Sequence, residues 1–440
     1  MDLLKSPIKK LYRSYLASSL SAAVVTSVYG FVDTIAIGRG VGPDGAAALA
    51  IAQPIFGVVS FFGLLCGIGG SVYLGKARGK QKMEKSNAYF FASLCLAVAL
   101  TLIAWITFTV FSTPIYTFFG ATPRLMPYVQ DYTNCIVWTM PFFILSAYLS
   151  CIVRSDGSPN RVMAAVVIGG VFNIFGDWFF VFPMNWGMTG AALATVLGTV
   201  LQFIILCSHF FTKNCQLRIV RPFRILKAFR NVLFAGISSS AIAISFIILT
   251  VILNKQVLVY GGESALAVFG VVISFSSLFQ NLFAGVGQAI QPIVSTNFGA
   301  GLKLRIHEIR NRSIFTALLM GIGFAFVGVA FPIQITKLFI AVTPEIIEIA
   351  PGILRVYFLS FLLMGINFQA IYYLQSVLMT KQATILALLR GLIVSGIFVY
   401  TLPLIWGVSG IWWAMVIAEV VSAVAALVFS KRVDKLPSLQ

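Results

Sequence analysis

The segment Trp186-Gly187-Met188-Thr189-Gly190 recurs later in the chain as Trp406-Gly407-Val408-Ser409-Gly410, at an offset of 220 residues. Two further matches have nearly the same offset: Gly67-Ile68-Gly69 with Gly285-Val286-Gly287 at 218, and Asp44 with Glu263 at 219. Separated matches at nearly one offset are typical of an internal repeat. We therefore predict a chain built from two related halves.

The amino-acid composition indicates that both halves are embedded in a membrane. Of the 440 residues, 59% are hydrophobic and only 10% are charged, and the mean hydropathy is +0.96. Soluble domains carry about 25% charged residues. A soluble fold of this chain would therefore have too little polar surface to cover its core, and we predict an integral membrane protein.

Twelve stretches are long and apolar enough to cross a membrane as helices, which requires about 20 residues each. They lie at about 13–38, 46–74, 88–111, 126–153, 161–183, 187–210, 231–254, 263–298, 313–336, 350–379, 382–403 and 407–430. Six spans per half is an even number, so the halves are parallel repeats. We predict an all-α fold with two pseudo-symmetric six-helix bundles around a central cleft. The predicted domains are an N-lobe (1–210), a cytoplasmic linker (211–230), a C-lobe (231–430) and a cytoplasmic tail (431–440).

The basic residues orient these spans. The chain has 31 Lys and Arg against 13 Asp and Glu, a formal net charge of +18. In the predicted topology 25 of the 31 basic residues lie on the inner side, four lie in outer loops and two lie within spans. Because cytoplasmic loops carry an excess of Lys and Arg, both termini are predicted to be cytoplasmic. This pattern accounts for the positive charge without a nucleic-acid partner.

The linker carries basic residues at intervals of three, interleaved with apolar ones. The basic residues are Arg218, Arg221, Arg224, Lys227 and Arg230, and the apolar residues are Ile219, Phe223, Ile225, Leu226 and Phe229. As a helix this segment would be amphipathic, with its basic face toward lipid headgroups. We predict membrane lipids as its partner, rather than nucleic acid or an obligatory protein.

Two acidic residues lie at membrane depth in the first half. Asp33 is five residues before the end of span 1, Asp177 is six residues before the end of span 5, and Thr195 is eight residues into span 6. At 1.5 Å per residue, all three lie roughly 7 to 12 Å below the outer boundary. Tyr29 and Asn173 lie one turn deeper, on the same helix faces as the two acids. The five polar groups can therefore meet.

Ionisable groups inside a membrane are functional candidates, because burying each one costs at least about 2.5 kcal/mol. Two carboxylates in one dry site disfavour joint ionisation through desolvation and like charge. A proton relieves this, and so does a monovalent cation, such as Na⁺ held by Asp33, Asp177, Asn173 and Thr195. We predict this cation-coupling site and no other metal or cofactor. The alternative is that both acids only bond to neighbouring backbone.

The second half has buried charges of both signs. Arg390 in span 11 and Glu419 in span 12 reach a similar depth on neighbouring helices. We predict a structural ion pair, with contact to a substrate as the alternative.

The sequence does not favour an enzyme. His209 and His307 are the only histidines and are too far apart for a zinc site of the usual spacing. The chain also lacks an aspartate-rich pair for magnesium and diphosphate, and it lacks a phosphate-binding loop. Because a phosphate-binding loop is missing, any transport by this protein is predicted to be driven by an ion gradient.

Several motifs together resemble the multidrug and toxic compound extrusion (MATE) family, and most of all its bacterial branch of staphylococcal-type multidrug pumps. They are the run from Tyr29 to Arg39, residues 67–71, the pair Asn173 and Asp177, residues 190–195, residues 287–292 and residues 297–300. The resemblance covers nearly the whole chain.

The resemblance implies a twelve-helix antiporter in the bacterial inner membrane that exports small lipophilic organic cations in exchange for H⁺ or Na⁺. In relatives whose coupling site is in the N-lobe, residues matching Tyr29, Asp33, Asn173, Asp177 and Thr195 carry the cation. We expect the polar lining of the substrate cleft to be Gln53, Gln280, Asn281, Gln288 and Gln291.

The sequence departs from the family in two places. Many relatives have a proline early in helix 1 whose bending accompanies protonation, and Ser18 and Ser19 occupy that region here. Relatives with a C-lobe cation site have acids in helices 7 and 10, and spans 7 and 10 here have none. A flippase for lipid-linked precursors or polysaccharides is the first alternative function, and a membrane-embedded enzyme is the second.

Overall fold

The described part of the chain is mostly helical and contains no β-strand. The structure is a computed structural model that describes residues 2–222, 224–340 and 343–433. The chain divides into two compact units, Met1–Gly236 and Ile237–Gln440. This division follows from the duplication, since each repeat forms its own core.

Six spans occur in the described first half. The helices are α1 (Ile8–Gly40), α2 (Pro43–Gly79), α3 (Met83–Val110), α4 (Ser112–Phe118), α5 (Met126–Trp138), α6 (Met140–Ser155), α7 (Pro159–Val181) and α8 (Gly187–Cys207). Helices α5 and α6 form one span that bends by 56°. Pro141 explains the bend, because it lacks an amide hydrogen and its ring clashes with the preceding turn.

The second half begins with a long helix that contains two spans. Helix α9 (Ile225–Gly299) has 75 residues, and a straight helix of that length would far exceed the roughly 30 Å of hydrocarbon. It breaks at Gly262, whose φ of 70° glycine adopts at little cost. The two parts match predicted spans 7 and 8.

Four more spans follow in the described second half. Their helices are α10 (Lys303–Ala330), α11 (Pro332–Phe339), α12 (Pro344–Leu359), α13 (Phe361–Ser376), α14 (Thr380–Leu388), α15 (Val394–Thr401), α16 (Pro403–Trp406) and α17 (Val408–Val433). Helices α12 and α13 make one span, and α14 to α16 make another. With α9 counted as two spans, the described residues confirm the twelve predicted spans.

The boundary between the units lies inside α9, a few residues after the predicted start of the C-lobe at 231. The first turns of α9 pack closely on α2: a side chain at Gly69 would collide with Val232, and one at Gly236 would collide with Leu65. This backbone contact explains why the start of α9 belongs to the first unit. Residues 434–440 of the predicted tail lie outside the described residues.

The predicted amphipathic helix over 211–230 is wrong for most of its length. A 3₁₀ turn ends at Phe211, no helix is present from 212 to 222, and α9 begins only at Ile225. Phe223, which we had placed on the apolar face, lies outside the described residues. Two side chains from elsewhere accept backbone N–H groups that a helix would use: Asp156 from Gln216, and Asn87 from Arg218.

Asp156 is the anchor of this connecting segment. Its Oδ1 accepts a hydrogen bond from Arg78 at the end of α2, and its Oδ2 lies 2.6 Å from His209 Nε2 and 3.2 Å from the Gln216 amide nitrogen. Asp156 and His209 are both buried. Burial also raises the pKa of the nearby Cys215 thiol. Asp156 thus joins the ends of α2 and α8 to the segment that follows.

We expect Asp156→Asn to lower the thermal stability of the detergent-solubilised protein. Removing one partner of a buried ion pair costs about 3 to 5 kcal/mol, because the other charge is left uncompensated. The matched control is Glu308→Gln, which breaks the exposed pair between Glu308 and Arg312 at 2.9 Å. That pair contributes only about 0.3 to 0.5 kcal/mol. Equal melting temperatures for the two variants would contradict the anchoring role.

Candidate functional site

Small residues bring α7 and α8 into close contact. A Cβ placed on Gly198 would lie 2.6 Å from the Gly169 carbonyl oxygen, and one on Gly176 would lie 2.9 Å from Ala194 Cβ. Helices in membranes associate closely where such residues let their backbones approach. The approach positions the polar side chains of α7 directly against α8.

Asn173 and Thr195 meet across this contact. Asn173 Nδ2 donates a hydrogen bond to Thr195 Oγ1 at 3.1 Å. Asp177 lies one turn from Asn173 on α7 and is 0% exposed. Within the described residues, both carboxylate oxygens of Asp177 and the Asn173 Oδ1 atom have no hydrogen-bond partner. Three acceptors are therefore buried and available.

Asp33 enters the same region from α1. Tyr132 on α5 donates its hydroxyl to Asp33 Oδ2 at 3.0 Å, while Asp33 Oδ1 is buried with no partner in the described part of the chain. The Tyr132 hydroxyl also lies near the Thr195 hydroxyl and interacts electrostatically with Asp177. Tyr132 therefore links the groups on α1, α7 and α8.

Tyr29 completes the predicted set. Its ring packs against α7, where a Cβ on Gly170 would lie 3.2 Å from Tyr29 Cδ1. The Tyr29 hydroxyl lies near the Thr26 hydroxyl and interacts electrostatically with Asp33. The structure thus brings all five predicted residues into one region of the first unit.

The electrostatics of this site are unfavourable when it is empty and fully ionised. Asp33 and Asp177 interact as like charges, and Asp33 is only 7% exposed. A buried carboxylate without a compensating partner costs several kcal/mol. The arrangement can lower this cost by taking up a proton or a small cation at the four partnerless oxygens.

Tyr132 is the site residue that our sequence analysis missed. It lies six residues into the fourth span, which is predicted to run inward, so its predicted depth matches that of Asp33. Sorting tyrosine hydroxyls by depth, as we did for the charged residues, would have found it. The predicted set took neutral side chains only from spans 1, 5 and 6, so the hydroxyl on the fourth span was left out.

The amides expected to line the substrate cleft occur in both units. Gln53 is exposed on α2 in the first unit, and Gln280, Asn281, Gln288 and Gln291 follow one another on α9 in the second unit. Gln291 is buried, whereas Asn281 is exposed. Their role in a cleft stays a prediction.

Arg390 and Glu419 form an ion pair in the second unit. Arg390 Nε lies 2.8 Å from Glu419 Oε1, and Asn367 Nδ2 donates to Glu419 Oε2 at 2.6 Å. The Arg390 guanidinium also stacks 4.4 Å from the centre of the Phe368 ring. A cavity of about 30 Å³ adjoins the pair and is lined in part by Gln280. That volume holds one or two waters.

One group in the described residues combines three types of metal-binding side chain. The candidate ligand atoms of Asp156, His209 and Cys215 lie within 4.8 Å of one another. Arg78 and His209 already occupy the two oxygens of Asp156. Asp156 and His209 in this group therefore hold the connecting segment in place, as described for the fold.

The comparisons agree with this architecture. The family model MatE matches residues 19–179 and 235–401. The chain belongs to the MATE family. The match covers both halves, as expected for a duplicated transporter of this family, and it leaves out the connecting segment between them.

The MATE relatives include known multidrug exporters. Multidrug export protein MepA of Staphylococcus aureus (strain NCTC 8325 / PS 47) is 26% identical over 435 residues, covering 96% of this chain and 93% of the relative. The protein of the same name from Staphylococcus haemolyticus (strain JCSC1435) is 26% identical over 425 residues, with the same coverage.

Solved MATE structures share the fold. A crystal structure of MATE in the bent conformation has a TM-score of 0.89 at 23% identity, covering 98% of this chain and 97% of that chain. An outward-facing conformation of a multidrug resistance MATE family transporter has a TM-score of 0.91 at the same identity and coverage. The integral membrane fold with two six-span halves is therefore that of the MATE family.

We expect Gly198→Ala to destabilise the protein by about 1 to 3 kcal/mol, the usual cost of overpacking. The new Cβ would lie 2.6 Å from Gly169 O and 3.2 Å from Asn173 Cβ, so it would push α7 away from α8. Gly30→Ala is the control, because a Cβ there meets nothing within 4 Å. Thermal unfolding in detergent should show a loss for the first variant only. A stable Gly198→Ala protein would mean that the helix contact is looser than described.

Proposed function

We propose that this protein is a multidrug exporter that couples the efflux of lipophilic organic cations to the entry of H⁺ or Na⁺. The observation that carries the proposal is the pair of buried carboxyls, Asp33 and Asp177, with three oxygens that have no partner in the described residues. Family membership and the relatives named MepA support outward transport and a cargo of varied drugs.

The coupling site would bind one cation between α1 and α7. A proton would neutralise one carboxyl and let it donate a hydrogen bond to the other or to Asn173 Oδ1. A sodium ion would take the same oxygens as ligands, since hard cations prefer carboxylate and amide oxygens. Tyr132 would hold the Asp33 carboxylate in place and stabilise it while the site is free of a cation, through its 3.0 Å hydrogen bond.

The bound cation would drive an alternation between outward and inward openings. Binding from outside would favour the state that releases substrate, and release to the inside would restore the state that takes substrate up. Only a difference in cation affinity between the two states can produce this shift. If one coupling cation enters for each singly charged cargo that leaves, the two charge movements cancel and the concentration gradient of the coupling cation supplies the driving force. Each tenfold difference in its concentration supplies about 1.4 kcal/mol, which sustains a substrate gradient of about tenfold.

The proposal includes an orientation. With both termini in the cytoplasm of a bacterium and the protein in its inner membrane, the acids lie near the outer face. The excess of Lys and Arg in the inner loops supports this orientation. Cations arriving from outside would then reach the carboxyls through a short path.

The alternatives fit the buried charges less well. A flippase for diphosphate-linked precursors needs unpaired cationic groups, and Arg390 is held by Glu419 at 2.8 Å. An enzyme needs a nucleophile or metal with an activating partner, and the site instead holds carboxyls, an amide and hydroxyls. The first unit is better suited to binding a cation than to chemistry.

We expect Asp33→Asn and Asp177→Asn each to abolish gradient-driven transport. Each amide has the size of the carboxyl but lacks the negative charge that would bind and release the coupling cation. The measurement is transport of a fluorescent lipophilic cation in proteoliposomes under imposed pH or sodium gradients. Asp131→Asn is the control, because Asp131 is an exposed acid on α5. Wild-type rates in both site variants would refute the coupling role.

We expect Tyr132→Phe to fold normally and to need less coupling cation for half-maximal transport. The hydroxyl stabilises the cation-free carboxylate of Asp33, so its loss favours the cation-bound form. A hydrogen bond to a charged group contributes about 1.5 kcal/mol or more, which corresponds to about a tenfold change. Tyr128→Phe, on the same helix, is the matched control. An unchanged half-saturating concentration in Tyr132→Phe would contradict a positioning role.

A further inference from the structure

A basic cavity lies in the first unit, lined by residues other than the two carboxyls. A cavity of about 390 Å³ lies where the start of α3, the connecting segment and the start of α9 meet. The residues that define its chemistry are Lys85 and Tyr89 on α3, Arg221 and Arg224 on the segment, and Lys227 and Asn231 on α9. This volume is large enough for a phosphate-bearing headgroup.

The cavity is strongly cationic. Four basic side chains line it against a single acid, Glu84. Helix α3 begins at Met83 and α9 begins at Ile225, so the first turns of both helices also border the cavity. Helix N-termini carry partial positive charge, and basic side chains there repel it. A bound anion would relieve both repulsions.

The floor of the cavity is polar and ordered. Asn231 Nδ2 donates to the Tyr89 hydroxyl at 3.1 Å. The Tyr89 ring stacks on Tyr73 with 4.7 Å between ring centres. The Tyr89 hydroxyl keeps its own hydrogen for donation to a ligand. The cavity therefore combines charge with a fixed hydrogen-bond donor.

Exposed apolar residues next to the cavity indicate a lipid instead of a free anion. Ile219 on the segment is 75% exposed and Leu226 on α9 is 78% exposed. Both flank the basic residues, and α3 and α9 continue from the cavity as membrane spans. An amphipathic ligand would place its anion in the cavity and its chains against these side chains.

We propose that this cavity binds the phosphate of an anionic phospholipid at the membrane surface. The lipid would bridge the first turns of α3 and α9, while its acyl chains cover the exposed apolar residues. The site does not depend on the proposed transport mechanism. The sequence pattern predicted that a basic helix face would contact lipid headgroups. In the structure the basic residues line a cavity instead.

The test measures lipid binding to the full-length, delipidated protein by native mass spectrometry. The probes are short-chain phosphatidylglycerol, short-chain phosphatidylcholine and inorganic phosphate. The variant Lys85→Gln/Arg221→Gln/Lys227→Gln removes three charges of the cavity. The control Lys9→Gln/Lys10→Gln/Lys213→Gln removes three exposed charges elsewhere. We expect phosphatidylglycerol to bind the wild type and the control, with at least a tenfold loss in the cavity variant.

Other results would overturn the proposal. Equal binding of phosphatidylcholine, or equal loss in the control, would show that the surface has no anion-selective site. Binding of inorganic phosphate with the affinity of the lipid would identify a free-anion site. A second variant, Ala88→Glu, adds a negative charge to the cavity lining without removing a contact. It should also lose phosphatidylglycerol, and it decides the question if the triple variant does not fold.

Discussion

The structure depends on the cost of polar groups in a medium without water. Every buried donor, acceptor or charge in a membrane must find a partner within the protein. Most described side chains here do so, as Glu419 does with Arg390 and Asn367. Among the described residues, Asp33 and Asp177 are the only carboxylates with buried oxygens that lack a partner, and they leave three such oxygens. That exception makes the first unit chemically different from an ordinary helix bundle.

Much of this could be predicted because helix geometry is regular. A fixed rise per residue converts sequence position into depth, and this is enough to predict that Asp33, Asp177 and Thr195 lie at one level. The span count followed from hydropathy for the same reason. Sequence reasoning failed where long-range contacts override local pattern. Asp156 and Asn87 accept backbone N–H groups of the connecting segment, so its three-residue periodicity does not produce a helix.

The duplication sets the fold of both halves but not their charges. Gly187 and Gly407 make equivalent turns with φ of 54° and 58°. Gly190 and Gly410 both lie against the backbone of the preceding helix. The first half places two acids at membrane depth without a basic partner among the described residues, whereas the second half pairs its acid with Arg390 at 2.8 Å. The ion pair of Arg390 and Glu419 has no net charge, so it does not attract a further cation as two unpaired carboxylates would.

This asymmetry bears on how a duplicated transporter can use a single ion. If both halves held partnerless acids, two ions would bind with comparable affinity and each would have to be released in every cycle. A closed ion pair in the second unit removes that competing site while it keeps the buried groups of spans 11 and 12 satisfied. Tyr132 strengthens the distinction, since its hydrogen bond orients Asp33 without neutralising it. The first unit therefore keeps negative charge that has no basic partner among the described residues, and the proposed cation coupling rests on this feature.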